Sequence, residues 1–249
     1  MPEGHLLHHY ARRLDADLAG RAVAASSPQG RFDARPFDGR RVERVHARGK
    51  HLFCEVEDAP VLHVHLGHDG LFLRTDDPSL PPLRGTRLRL ATEQAAWSLL
   101  APSRCEPLTP AARDDVLASL GPDPVVDTGP DAREEAVRRL TAKRSPVGTA
   151  LLDQSVWAGL GNVWRAELPH LLRIDPARRV DAEEAGRLWD LSVRMLGDCV
   201  EPGRIVTVPD GEPGERWVYR RETCRGCGAP VRVQQLGGRT CYACPAEQA

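Results

Sequence analysis

The chain opens Met1-Pro2-Glu3-Gly4, and the chemistry available there is specific. Removal of the initiator Met, which a small second residue favours, leaves a secondary amine beside a carboxylate. Such an amine can attack a sugar C1′ and form an iminium. An α-amine with a pKa of about 8 is roughly a tenth neutral at pH 7, whereas a lysine at about 10.4 is neutral to only about one part in a few thousand. Glu3 would then move protons on and off the sugar, as the second member of a nucleophile and acid/base pair. Met-Pro-Glu starts also occur by chance, and four residues taken alone read more plainly as an ordinary N-terminus.

A second group of reactive types lies at the other end. Cys224-Arg225-Gly226-Cys227 and Cys241-Tyr242-Ala243-Cys244 are two C-x2-C knuckles, with Val231 to Gln235 and Arg239 to Tyr242 as strands around a Gly237-Gly238 turn. This spacing predicts a zinc-ribbon hairpin holding one structural Zn2+ through Cys224, Cys227, Cys241 and Cys244. The remaining cysteines, Cys54, Cys105 and Cys199, read as buried thiols. Between 216 and 239, Arg216, Arg220, Arg221, Arg225, Arg232 and Arg239 stand against Glu222 alone among acids. In a chain of net charge −1, that local excess suits a phosphate backbone.

These groups need elements to hold them. Leu6, Leu7, Tyr10, Leu14 and Leu18 recur at three- and four-residue steps, which predicts an amphipathic helix ending at Gly20 and fixing the N-terminus ahead of it. Leu52, Cys54 and Val56 alternate with polar positions, as do Leu62, Val64 and Leu66 around His63 and His65, with a turn at Asp58-Ala59-Pro60 between them. Thr86 to Leu90 is a further short strand. The first 120 residues therefore read as a helix plus an antiparallel β-sandwich. Gly121-Pro122-Asp123-Pro124 to Gly129-Pro130 is rich in breakers and marks a linker. Helical periodicity follows, over a domain at 131–205, with capping-box spacing at Asp131/Glu134 and Asp181/Glu184. Leu151 to Glu167 predicts a helix, a turn with two glycines and a second helix capped by Asn162, whose open N–H groups would bind phosphate; a plain helical hairpin has the same pattern. The hairpin occupies 216–249.

Composition bounds the rest. At 249 residues and 41% hydrophobic the chain is globular and α+β, and it is neither a disordered tail nor a uniformly basic protein. No signal-peptide pattern precedes Leu6 and no run approaches a membrane span, so a reducing, cytoplasmic setting is expected, with metal binding ahead of disulfides. Of 34 basic residues only Lys50 and Lys143 are lysine, a bias that a GC-rich genome accounts for.

Met1-Pro2-Glu3-Gly4, Gly49-Lys50-His51-Leu52-Phe53, the Leu-Asp-Gln to Gly-Asn run and Leu236-Gly237-Gly238-Arg239 together resemble the formamidopyrimidine-DNA glycosylase/endonuclease VIII family, closest to its actinobacterial endonuclease VIII-like members. The motifs fall in the family's order over nearly the whole chain. The resemblance implies Pro2 as nucleophile, Glu3 beside it, Lys50 as a phosphate-gripping lysine, Asn162 from a helix–two-turn–helix motif and Arg239 at the hairpin tip. It implies a monomeric bacterial enzyme that acts on damaged double-stranded DNA, releases oxidised pyrimidines and cuts the strand by β,δ-elimination. The alternatives are a formamidopyrimidine/8-oxoguanine glycosylase and a non-catalytic lesion-binding protein. Target bases must leave the stack to expose C1′, and wedge residues fill the gap.

Two positions depart from the family pattern. His68 occupies the place of a bulky apolar wedge. Aligned on the hairpin, the family's third and fourth zinc cysteines fall on Cys244 and Glu247, which leaves Cys241 extra. A shortened Cys241/Cys244 knuckle, a Cys244/Glu247 pair and a zincless hairpin all stay open, and the better ligand character of thiolate favours the first.

Overall fold

The computed structural model describes residues 2–209, 211–212 and 214–249. It divides into two compact units, Met1–Ser119 and Leu120–Ala249. No described helix is long and apolar enough to cross a membrane.

In the first unit, α1 (Gly4–Leu18) buries Leu7, Leu14 and Leu18 of the expected stripe together with Ala11, while Leu6 and Tyr10 are half-buried and the helix stops short of Gly20. Eight strands follow: β1 (Ala22–Ser26), β2 (Arg40–Arg48), β3 (His51–Val56), β4 (Val61–His65), β5 (Leu71–Thr75), β6 (Thr86–Ala91), β7 (Ala96–Leu100) and β8 (Arg104–Leu108). Their order is β5-β7-β6-β1-β2-β3-β4-β8, with every pairing antiparallel. Only Ala22↔Arg41 and Val23↔Arg40 join the β1 half to the β2 half. So brief a seam lets the two four-stranded halves fold over one core, which gathers α1 with Val45, Leu52 and Val64 from one half and Leu90 and Leu99 from the other.

Two aspartates bind α1 to the strands. Val45 N–H donates to Asp15 Oδ1 at 2.7 Å. Asp17 Oδ2 accepts from Arg74 Nε at 2.6 Å on β5 and from Trp97 Nε1 at 2.8 Å on β7. The helix that carries the N-terminus is therefore fixed in rotation as well as in depth. The unit closes with α2 (Pro110–Ser119).

The second unit contains α3 (Pro130–Thr141), α4 (Val147–Ala150), α5 (Trp164–Leu171), α6 (Ala182–Asp198) and a hairpin of β9 (Arg232–Leu236) and β10 (Arg239–Ala243). Its core is built on Trp157, Trp164 and Trp189, with Trp157 and Trp189 meeting edge to face at 5.3 Å. The capping box at α6 is present: Glu184 N donates to Asp181 Oδ1 at 2.9 Å and Asp181 N to Glu184 Oε2 at 3.3 Å. At α3 it is not. Gly129 caps that helix and Pro130 takes its first position, so Asp131 lies inside it.

The breaker-rich 121–124 segment is tied into the second unit, since Gly121 N donates to Gln154 O at 2.8 Å and Ala158 N to Pro122 O at 2.9 Å. One further expectation is corrected. Residues 151–163 form turns, with only the short α4 before them, and the N-cap of α5 is Val163 rather than Asn162. Gly237 and Gly238 turn the β9–β10 hairpin with φ of +61° and +73°, the pair of left-handed residues that a two-residue turn between twisted strands requires.

The Arg74 guanidinium bonded to Asp17 holds that carboxyl below its usual range. A carboxyl depressed in the folded state contributes stability above its unfolded pKa and loses it as pH falls through the folded one. Asp17→Asn is therefore expected to destabilise the protein by about 1–3 kcal/mol at pH 7, with the gap from wild type closing below about pH 4. Thermal denaturation of both proteins across pH checks this.

Candidate functional site

In the first unit, the start of α1 places the N-terminal motif. Pro2 is half-buried just ahead of the helix. Glu3 is fully buried as the N-cap residue, its backbone O accepting from Leu6 N at 3.0 Å. The partly positive end of the helix favours a carboxylate there. Met1 lies outside the described residues. His5 and His8 are buried on the same helix.

Lys50 is half-buried in the two-residue turn Gly49-Lys50, closed by the Arg48↔His51 pair of β2 and β3. Beside it runs a chain of imidazoles. Glu106 Oε1 lies 3.0 Å from His63 Nδ1, and His63 Nε2 lies 2.8 Å from His51 Nδ1. A carboxylate only accepts, so His63 carries its proton on Nδ1 and its Nε2 accepts from His51 Nδ1–H. The rings of Phe53, His63 and His51 stack at 5.1 Å steps. Burial, followed by the charges of its neighbours including Arg104 and Lys50, pushes His51 down to about 3, so the stack is neutral at pH 7. His65 lies on the same strand, its Nδ1 accepting from Gly67 N–H at 3.0 Å. His68 follows in the turn after β4, its side chain 68% exposed and its Nδ1 2.6 Å from Asp69 Oδ1. Burial pushes Cys54 and Cys105 up to about 12, which makes them unreactive thiols.

In the second unit, a residue that sequence reasoning passed over does most to place the others. Arg165 on α5 is fully buried, and its guanidinium donates to four carbonyls: Nη1 to Gly148 O at 3.1 Å and Leu236 O at 2.8 Å, and Nη2 to Arg239 O and Thr240 O, both at 2.9 Å. It therefore grips the hairpin turn from which the exposed Arg239 projects. Asn162 Nδ2 donates to the same Thr240 O at 3.0 Å, while its buried Oδ1 has no partner among the described residues. Gln154 braces the intervening turns, accepting from Gly159 N at 2.9 Å and donating to Leu152 O and Leu160 O, each at 3.0 Å.

Two residues on from Arg165, fully buried Glu167 accepts from Thr207 Oγ1 at 2.6 Å and from the backbone N–H groups of Trp217, Val218 and Tyr219 at 2.8, 3.0 and 2.9 Å. Not all of the arginine run is available to a partner. Arg225 pairs with Glu215 at 2.8 Å and Arg232 with Asp175 at 2.6 Å, both acids lying outside the 216–239 window. Lys143 pairs with Asp153 at 2.8 Å.

The thiols are sorted by strand geometry. Cys224, Cys227, Cys244 and Glu247 bring one donor atom each to within 4.8 Å of one another. Cys241 stands outside this group, a correction to the expected ligand set. β10 continues to Ala243 with Cys241 paired to Gln234, and residues three apart on a strand face opposite ways. Cys244 and Glu247 instead repeat the x2 spacing of a knuckle beyond the strand end. Cys227 Sγ lies 3.4 Å from Cys244 Sγ, and Cys224 Sγ lies 3.0 Å from Glu247 Oε2. A Cβ on Gly226 would meet that carboxylate at 2.9 Å, so glycine is what admits it to the first knuckle. Three soft sulfurs and one oxygen gathered this closely are a donor set that fits a zinc ion.

Comparison with known proteins follows the same division. The formamidopyrimidine-DNA glycosylase N-terminal domain model matches residues 1–104, and the H2TH domain model of the same glycosylase matches residues 120–209. Endonuclease 8 1 of Mycobacterium tuberculosis is 39% identical, with 98% of each chain covered. Probable endonuclease 8 2 of Streptomyces coelicolor is 35% identical over 100% of this chain and 94% of the relative. Formamidopyrimidine-DNA glycosylase of Thermus thermophilus is 32% identical over 98% and 97%. Among solved structures, the MutM (Fpg) protein of Thermus thermophilus aligns with a TM-score of 0.75 at 28% identity, covering 99% of this chain and 98% of that one. Lactococcus lactis Fpg, crystallised with abasic-site DNA, shares the fold with a TM-score of 0.81 at 20% identity, with 99% of each chain covered.

Four donors converge on the Glu167 carboxylate, and an amide in its place turns an NH2 group toward some of them. Glu167→Gln is expected to cost about 2–4 kcal/mol of stability, read by denaturant unfolding, with faster hydrogen exchange at the amides of Trp217, Val218 and Tyr219.

Proposed function

Because the chain belongs to the formamidopyrimidine-DNA glycosylase family, we propose specific roles for the residues placed above. The protein is a base-excision repair DNA glycosylase. The finer reading is a bifunctional enzyme that releases oxidised pyrimidines and then cuts the strand. Pro2, half-buried immediately ahead of the fully buried Glu3, is the observation that carries it. With Met1 removed, the Pro2 amine attacks C1′ of the extruded nucleotide and the damaged base departs. Glu3 delivers a proton to open the sugar ring, giving an iminium. Loss of a C2′ proton from that iminium expels one phosphate by β-elimination, and δ-elimination expels the other. Gly4, buried at the first turn of α1, supports the endonuclease VIII branch over the formamidopyrimidine branch, which usually has leucine there.

The DNA grip is shared out by residue type. Lys50 supplies a compact ammonium to a phosphate, Arg239 a guanidinium from the hairpin turn, and Asn162 the second hydrogen of its Nδ2. His68, exposed on its turn, enters the gap that the extruded base leaves. We assign one structural zinc to Cys224, Cys227, Cys244 and Glu247, where it would tie the two knuckles together. The protein acts as a monomer on damaged double-stranded DNA in the bacterial cytoplasm.

Borohydride trapping on abasic-site DNA tests the mechanism. The adduct is expected on a peptide beginning at Pro2. Pro2→Gly should reduce it at least about tenfold, the order of effect of a removed nucleophile, while Lys143→Ala should leave it intact. An adduct mapped to Lys50, or none at all, overturns this reading. Duplexes carrying single oxidised pyrimidines are expected to be cut faster than those carrying 8-oxoguanine, and the reverse order would assign the formamidopyrimidine branch.

A further inference from the structure

His170 ends the buried face of α5, with a side chain only 5% exposed, and none of the roles above uses it. One flank of its ring rests against Trp217, 5.9 Å between centroids. Its Nε2 points at the cysteine cluster, 3.7 Å from Glu247 Oε2 and 4.0 Å from Cys224 Sγ. Its Nδ1 is buried with no hydrogen-bond partner among the described residues.

That orphaned atom decides the tautomer. An unsatisfied buried N–H is much the rarer and costlier group, whereas an unused lone pair is tolerated. Nε2 of His170 therefore carries a proton, which makes the imidazole a donor facing the Glu247 carboxylate and, with a metal bound, the Cys224 thiolate. The cluster has need of such a donor. Three thiolates and one carboxylate carry four negative charges, and a divalent ion leaves two of them uncompensated in a site where Cys224 and Cys244 are buried. Glu247 is also the weakest member of the set. Carboxylate oxygen is a harder donor than thiolate, and it stands on a longer side chain with more torsions to fix.

We propose that His170 is a positioning residue of the metal centre, its Nε2–H holding the Glu247 carboxylate, with Cys224 Sγ as the second acceptor, so that Glu247 serves as fourth ligand. The proposal rests on the metal assignment made above. Ligands fixed from outside by a hydrogen bond bind metal about 10- to 100-fold more tightly than ligands left loose.

The test uses the full-length protein, zinc affinity by chelator competition and the absorption spectrum of the cobalt-substituted form. His170→Phe keeps an aromatic ring and removes the donor; it is expected to weaken zinc binding about 10- to 100-fold and to shift the cobalt d–d bands. His170→Gln keeps an N–H and should restore most of the affinity. If phenylalanine is not tolerated, His170→Met against His170→Gln makes the same comparison. Glu247→Cys replaces the ligand that His170 holds, so the loss caused by His170→Phe should shrink in that background. Equal zinc affinity and an unchanged cobalt spectrum in His170→Phe would overturn the proposal, as would a loss of equal size in the Glu247→Cys background. A wild-type protein that binds neither zinc nor cobalt would instead overturn the metal assignment itself.

Discussion

Two opposite charges on one short helix hold the second unit together. Arg165 and Glu167 are both fully buried, and α5 is enclosed on all sides from Trp164 to His170. Each meets a set of dipoles: the guanidinium four backbone carbonyls, the carboxylate three backbone N–H groups and a hydroxyl. Hydrogen bonds to a charged group contribute about 1.5–3 kcal/mol each, and a buried charge stripped of its partners costs about 3–5 kcal/mol. Removing the acceptors of one or the donors of the other is therefore far more costly than losing a surface ion pair. Through Arg165 the hairpin turn is fixed to α4 and α5; through Glu167 the 207 and 217–219 segments are fixed to the same helix.

The first unit is held by a different set of contacts. α1 is set against the sandwich by an apolar stripe and two aspartates, and the Lys50 turn stands beside a neutral imidazole stack anchored on Glu106. A cation next to protonated histidines would repel them; next to neutral ones it keeps its attraction for phosphate. Both assigned groups stand at the ends of regular elements rather than on long loops, and elements hold geometry to tighter tolerance.

Periodicity in the sequence was sufficient for α1, β3, β4, β6 and α6, because each has an unbroken apolar face. β8 was not visible: Arg104 to Leu108 contains Pro107 and is tolerated only because it lies at the sheet edge. The first cysteine knuckle was legible as it stands. The second was misread because Cys241/Cys244 and Cys244/Glu247 have the same spacing, and only the length of β10 separates them. Glu167 and Arg165 gave no signal at all. In a helical run they look like solvent-facing residues, and their partners lie 40 to 52 and 17 to 75 positions away. The arginine excess was real in number but partly spent on Glu215 and Asp175.

The contacts of Arg165 also order events in time. Its hairpin carbonyls come from residues 71 to 75 positions further along the chain, whereas every strand pairing of the sandwich lies within the first 119 residues. Contacts of long sequence separation form late, after the loop between them has closed. During synthesis, the part that carries the amine and the carboxylate can fold while the hairpin is still unmade. A nascent chain would thus have its first unit, with Pro2, Glu3 and Lys50, in place before the hairpin that carries Arg239 exists.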